Sequence, residues 1–240
     1  MERGLVLSIF PGLDLLGMGF QQEGFYVVMG PDVLFGQSIQ DYHVPSGVFE
    51  GVIGGPPCQA FSIARGSSKP TQGNHIPEFE RIVSEARPAW FVMENVPNAP
   101  LPIVQGYHTS WFFVQAAELG LCHRRKRRIT IGSMSQKLIF NIRGEMARDP
   151  EPCIMATEYN SASAGNRWVK SKRFPKRLLP DIAERMGLSR DWDAPALLWE
   201  YKYRVLGNGV PLPVARLLAQ LIKSQVRPIE EEHGDHHSPA

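Results

Sequence analysis

The chain has 240 residues, of which 43% are hydrophobic, enough to bury one sizeable core in one domain or one domain with a small appendage. No uninterrupted apolar run approaches the ~20 residues of a membrane span, and Met1-Glu2-Arg3-Gly4 leads straight into an apolar stretch without a signal-peptide pattern, so a soluble cytoplasmic protein with no membrane partner is expected. The cysteines Cys58, Cys122 and Cys153 are odd in number and unrelated in spacing, which suits neither a disulfide framework nor a zinc site. A net charge of +2 conceals two basic blocks, residues 123–128 and 170–177, of the kind that either meets a polyanion or simply faces solvent.

Residues 5–10, Leu-Val-Leu-Ser-Ile-Phe, form a β-rich apolar run that stops at Pro11-Gly12. Leu15, Leu16, Met18, Gly19 and Phe20 mark the apolar side of a helix ending near Gly24. A strand over 25–29, a loop at Gly30-Pro31-Asp32 and a strand over 48–53 follow. This alternation predicts an α/β fold with a parallel, doubly wound sheet. Residues 66–73, rich in Ser, Gly, Lys and Pro, predict a mobile loop, and 74–86 a helix with Ile76, Phe79, Ile82 and Val83 on one face. A buried strand over 89–93 ends at Glu94-Asn95-Val96-Pro97. Residues 111–119 predict a helix and 129–132 a strand; from 133 to about 168 periodicity is poor and turn residues are common. Residues 173–186 are partly helical, 206–210 a turn, and 211–223 a helix with proline at its start. The tail is expected to be disordered, its His233, His236 and His237 at most adventitious metal binders.

The most informative stretch is Gly54-Gly55-Pro56-Pro57-Cys58-Gln59-Ala60-Phe61-Ser62, directly after the short apolar Gly51-Val52-Ile53. Two prolines fix their own φ angles and push the residues before them toward extended backbone, so Cys58 is presented at a strand end. That is where α/β sheets place reactive groups. A lone free cysteine is otherwise often a small buried hydrophobe. Glu94 closes another strand of the same sheet and is expected on the same edge as Cys58.

In order along the chain, Phe10-Pro11-Gly12, Pro56-Pro57-Cys58-Gln59, Glu94-Asn95-Val96, Arg125-Lys126-Arg127 and Gly207-Asn208-Gly209-Val210-Pro211 resemble the ordered motifs of the DNA cytosine-5 methyltransferases, most of all the short orphan-type enzymes of phages and prophages. The resemblance covers residues 4–132 and about 200–222. It implies a Rossmann-like, mostly parallel sheet of the S-adenosylmethionine-dependent methyltransferase fold. Residues 1–132 are then the catalytic and cofactor-binding core, 133–199 a small irregular target-recognition segment, 200–226 a segment completing the core, and 227–240 a disordered tail. S-adenosyl-L-methionine is the implied cofactor and double-stranded DNA the implied partner of a monomer.

The same resemblance assigns roles. Carbon 5 of cytosine is a poor nucleophile, so the Cys58 thiolate adds first to carbon 6 and turns the ring into an enamine-like nucleophile. Glu94 holds a proton at ring nitrogen 3 to relieve the negative charge. Arg125 and Arg127 supply the positive charge that favours a thiolate. Phe10 stacks on the cofactor's adenine, Pro11 and Gly12 let the backbone approach its methionine part, Asp32 holds the ribose, Pro56 flanks the pocket, and Asn208 with Val210 closes it. Phe10 taken alone, by its strand position, is more often a core residue. A base inside a duplex must be flipped to reach such a pocket.

The sequence departs from the family pattern in several places. Asp14 and Leu15 replace a glycine pair, Met29 stands where an acidic residue ends the second strand, Ser38 replaces an Asp that contacts the adenine amino group, and His123 replaces a Gln. The region available for target recognition is short, which predicts recognition of roughly two to four base pairs. A transfer-RNA methyltransferase and a non-catalytic DNA-binding relic are the alternatives; Ala60-Phe61-Ser62 favours DNA over RNA, and Cys58, Glu94, Arg125, Arg127 and Asn208 together speak for an enzyme.

Overall fold

The computed structural model describes residues 4–61, 73–140, 142, 144, 149–156 and 177–226. Its strands are β1 (Leu5–Ile9), β2 (Tyr26–Met29), β3 (Gly51–Gly54), β4 (Trp90–Asn95), β5 (His108–Gln115) and β6 (Lys126–Ser133), and its helices α1 (Leu15–Gln22), α2 (Ile76–Ala86), α3 (Leu179–Arg185), α4 (Trp199–Asn208) and α5 (Leu212–Gln225). The strands form one six-stranded sheet in the order β2-β1-β3-β4-β6-β5. β1 to β4 run parallel, and β6 lies antiparallel to both β4 and β5. The mostly parallel, doubly wound α/β sheet expected from the sequence is therefore the observed one.

Strand alternation sorts the side chains between two layers. Val6, Ile53, Trp90, Val92, Ile129 and Ile131 face α1 and α5, together with Phe20 and Leu218. Leu7, Ile9, Val52, Phe91 and Met93 face α2, whose Ile76, Phe79, Ile82, Val83 and Ala86 recur at helical spacing and are buried. A smaller core joins Leu15 to Ile154, Leu179, Ile182, Met186, Tyr203 and Leu206, so α3 and α4 pack beside the start of α1. The chain leaves β1 in one direction and β2 in the other, which opens a cleft at the carboxyl ends of β1 and β3.

Two local expectations are corrected. Residues 111–119 are not a helix: 111–115 belong to β5 and only Ala116–Leu119 forms a short 3-10 turn. The aromatic and β-branched Thr109, Trp111, Phe112, Phe113 and Val114 suit a half-covered strand, and β6 supplies the pairing partner that the local sequence could not show. Residues 206–208 finish α4 rather than form a turn; the break comes at Gly209 to Pro211. Taken as one stretch, Trp199–Gln225 is apolar and long enough to cross a membrane, but this break divides it into α4 and α5, whose Tyr203, Leu206, Leu218 and Ile222 are buried in the two cores. The expected loop at 66–72, the basic residues 170–176 and the tail 227–240 lie outside the described residues.

Candidate active site

β3 runs out at Gly54, and the chain turns through Gly55-Pro56-Pro57 to Cys58, where the Phe61 N–H donates to the Cys58 carbonyl at 2.9 Å and closes the turn. Glu94 is the penultimate residue of neighbouring β4 and is 7% exposed. A Cβ on Gly55 would stand 3.3 Å from Glu94 Oε2, so glycine there lets the carboxylate come up against the cysteine turn. Arg127, on β6, places Nε 2.8 Å from Glu94 Oε1 in an ion pair that leaves Oε1 without an aligned hydrogen bond among the described residues. Cys58, Glu94 and Arg127 thus meet on one sheet edge.

Asn95 braces this corner. It is 1% exposed; its Nδ2 donates to the Pro56 carbonyl at 3.1 Å and its Oδ1 accepts the Val96 N–H at 2.8 Å. The bond to Pro56 ties the end of β4 to the cysteine turn. Sequence reading gave Asn95 no role; an amide directly after the strand-end acid was the available signal.

The Cys58 thiol lies above its ordinary value, against the expectation of an electropositive environment that lowers it. Burial is the main cause, the Glu94 carboxylate adds to it, and Arg127 and Arg125 only partly offset them. At neutral pH the thiol is protonated in this arrangement.

The two arginines of the motif behave differently. Arg125 is 2% exposed. Its Nη1 donates to the Gly207 carbonyl at 3.0 Å, and its Nη2 to the carbonyls of Gly209 at 2.8 Å and Asn208 at 3.2 Å. These groups sit at the carboxyl end of α4, where unpaired carbonyls and the negative end of the helix dipole favour a cation. Arg125 therefore joins the start of β6 to the α4–α5 junction. It still lines the cleft that also contains Glu94, Arg127 and Val210. Asn208 is exposed and reaches the site only through its backbone, whereas Val210 is buried.

A second corner forms after β1. Phe10, Gly12 and Asp14 all have positive φ, at 54°, 56° and 56°, so the chain makes a tight compound turn. Asp32 crosses from the end of β2 and accepts the Gly12 N–H at 2.9 Å and the Leu34 N–H at 2.8 Å. The Phe10 ring is half-buried, meeting the α2-side core and standing edge-on to His75 at 6.0 Å. Ile9 pairs with Gly54, which sets the Phe10 turn beside the cysteine turn. A Cβ on Gly12 would meet no atom of the described residues within 4 Å, so the turn faces open space at the strand-order reversal, the position where such sheets bind nucleotide-like ligands.

The departures have structural explanations at two positions. Asp14 adopts the left-handed conformation that a glycine would favour and that Asp tolerates. Its Oδ1 accepts the Gly17 N–H at 3.0 Å as cap of α1 and the Ser8 hydroxyl at 2.6 Å. Burial raises its pKa to about 6, these two bonds opposing the rise. His123 is fully buried and burial, then Arg125, brings its pKa down to about 4, so the ring is neutral. Ser38 only caps a short turn, accepting the Gln40 N–H at 3.2 Å, and Met29 is exposed.

Comparison with known proteins places this edge in context. Residues 36–101 match the profile described as C-5 cytosine-specific DNA methylase. The type II methyltransferase M.HgiGI of Herpetosiphon aurantiacus is 32% identical over 119 residues, which cover 40% of this chain and 92% of that protein. The chain belongs to the C-5 cytosine-specific DNA methylase family. M.HgiDI of the same organism is 29% identical over 164 residues, 52% of this chain and 51% of the relative. The methylase chain spans about half the length of the first curated relatives it matches, M.HgiDI and M.AquIA. In fold it is similar to the Entamoeba histolytica methyltransferase EhMeth, with a TM-score of 0.68 at 13% identity covering 95% of this chain and all of that one. Family membership implies S-adenosyl-L-methionine as the cofactor, and the open turn at Phe10, Gly12 and Asp32 fits a nucleoside-bearing ligand.

Proposed function

We propose that the chain is a DNA cytosine-5 methyltransferase that modifies a flipped cytosine in duplex DNA through a covalent adduct with Cys58. The observation that carries this reading is the meeting of Cys58, Glu94 and Arg127 on one sheet edge beside an open ligand turn. As the base enters, the Cys58 thiol proton passes to the Glu94 carboxylate, which holds it at ring nitrogen 3, and the freed sulfur bonds to ring carbon 6. Electron density moves to carbon 5. Bound S-adenosylmethionine supplies the methyl group there. Carbon 5 then gives its proton to solvent water, its bonding pair closes the carbon 5–carbon 6 double bond, and the sulfur–carbon 6 bond breaks, returning the thiolate. Arg127 orients Glu94 through their ion pair, Asn95 fixes the cysteine turn, and Arg125 fixes the wall containing Val210. Phe10, Pro11, Gly12, Asp32 and Pro56 hold the cofactor, with Asn208 and Val210 at its outer side.

Residues 133–199 form the target-recognition segment, within which Arg185 at the end of α3 makes a two-pronged pair with Glu151, each contact 2.8 Å. Its small size supports a target of about two to four base pairs. The protein works as a cytoplasmic monomer. The test is transfer of labelled methyl to unmethylated duplex DNA, mapped by bisulfite sequencing. Label at cytosine carbon 5 that falls at least ~10³-fold in Cys58→Ala supports the reading. Label found only on transfer RNA, or none with cofactor bound, would remove it.

A further inference from the structure

The connection between β4 and β5 contains no helix, so among the described residues β5 and β6 lack the cover that α2 gives to Phe91 and Met93 on the same side of the sheet. Register identifies the residues on that side, of which Thr130 is buried and the β5 side chains are the exposed ones. Met93 faces Thr130 and Asn95 faces Arg128 on β6; Thr130 in turn faces Trp111, and Arg128 faces Phe113, on β5. Trp111 is 49% and Phe113 40% exposed, and their rings meet edge to face at 5.4 Å. Lys126 is exposed and holds Nζ 4.4 Å over the Phe113 ring, whereas the neighbouring Arg128 keeps Nε and Nη2 buried, with no acceptor on either among the described residues.

This is a surface of exposed rings interleaved with cations. An apolar partner would leave the exposed Lys126 desolvated and unpaired, at a high cost. An unpaired nucleic-acid strand matches both features, since its bases stack on rings and its phosphates accept from cations. Position agrees. Phe113, Lys126 and Arg128 lie at the end of the sheet that holds Glu94, and Arg128 pairs with Asn95, the residue that braces the cysteine turn.

We propose that the exposed aromatic patch on β5 is a second nucleic-acid contact, which takes unpaired strand flanking the target base on Trp111 and Phe113 and a phosphate on Lys126. This rests on the reading that the Cys58–Glu94 edge acts on nucleic acid. It gives the protein a hold on locally opened DNA that does not depend on base sequence.

The test is fluorescence anisotropy with a labelled single-stranded oligonucleotide and its duplex, using the full chain, the double variant Trp111→Ala/Phe113→Ala, and Lys126→Gln. The double variant loses roughly ten- to a hundredfold in single-strand affinity and less for the duplex. Lys126→Gln lowers the slope of affinity against salt by about one phosphate contact. Unchanged single-strand affinity in a double variant with native circular dichroism overturns the proposal. If the double variant fails to fold, an unaltered salt slope in Lys126→Gln overturns it instead. Wild-type self-association abolished in the double variant, with oligonucleotide affinity retained, also overturns it by assigning the face to a second copy. Methyl transfer read in parallel separates the two ideas: loss of single-strand binding without any methylation of cytosine sinks the proposed function and leaves this surface standing.

Discussion

The corner around Cys58 and the corner around Phe10 sit on neighbouring strands, yet they are held together by different means. At the cysteine corner the braces are groups other than those assigned to chemistry: the Asn95 amide fixes the turn and the Arg125 guanidinium fixes the wall. Cys58 forms none of these cross-links, and among the described residues Glu94 Oε1 is left without an aligned hydrogen bond. At the Phe10 corner the ionisable groups are themselves the braces, Asp14 tying β1 to α1 and Asp32 tying the turn to the end of β2. Substitution should therefore separate structure from chemistry at the first corner and mix them at the second.

The sharpest break of that contrast is Glu94→Gln. Loss of the proton-holding carboxyl costs methyl transfer on the order of 10²- to 10⁴-fold. The negative charge that helps raise the Cys58 thiol goes with it, so the midpoint of iodoacetamide alkylation against pH moves down. Arg127→Ala removes a lowering influence and moves that midpoint up. Opposite shifts in the two variants support the arrangement; shifts in one direction contradict it.

Arg125→Ala comes next and is a matter of stability. It leaves three carbonyls at the end of α4 without their donor, and at ~1–3 kcal/mol for each buried orphan that is not rescued by water the loss is about 3 kcal/mol or more in urea unfolding. Arg125→Lys recovers only part, because an ammonium cannot fork across several carbonyls. Arg127→Ala, by contrast, leaves no carbonyl without its donor, and the buried Glu94 carboxyl can take up a proton rather than stand unpaired, so it costs less stability than Arg125→Ala while impairing turnover. Equal losses of stability in the two alanine variants would erase the distinction drawn here.

This pair also shows where sequence reading reaches its limit. The strands that carry Cys58 and Glu94 were legible because a parallel sheet buried on both faces writes itself as short apolar runs, and a strand end is a predictable address for a reactive group. Arg125 and Arg127 are two residues apart in one motif, and nothing local distinguishes a side chain that reaches a carboxylate on β4 from one that caps a helix more than eighty residues later. β5 was misread for a related reason: its pairing to β6 is non-local, and half-covered aromatic residues satisfy a helical pattern as well as a strand. The turn after β1 was legible in place but not in substance, since only the fold reveals that Asp14 adopts a glycine's conformation.

Asp14→Asn tests whether a brace at the second corner carries an electrostatic cost. The asparagine oxygen can accept from both Ser8 and Gly17, so the hydrogen bonds survive. Because the folded carboxyl titrates at about 6, above its unfolded value, the native state binds more protons than the unfolded chain across the interval between them, and stability falls as pH rises through it. Above pH 7 the full cost of burying the charge is present. The variant is then more stable than wild type by about 1–3 kcal/mol, an advantage that disappears near pH 4 in thermal melts. A constant difference at all pH values would mean that the charge is not what matters.

The smallest expected effect is at Asp32. Asp32→Asn keeps one acceptor oxygen for the Gly12 and Leu34 N–H groups and turns an amide toward the other, which costs about 1 kcal/mol. That alone would loosen the Phe10 turn and weaken the cofactor by a fewfold. If the carboxylate also holds the ribose hydroxyls, the cofactor dissociation constant rises about tenfold or more, beyond what the loss of stability explains, and turnover at saturating cofactor stays near wild type. A dissociation constant that moves only in proportion to stability would make Asp32 a brace alone, with the ribose held by other means.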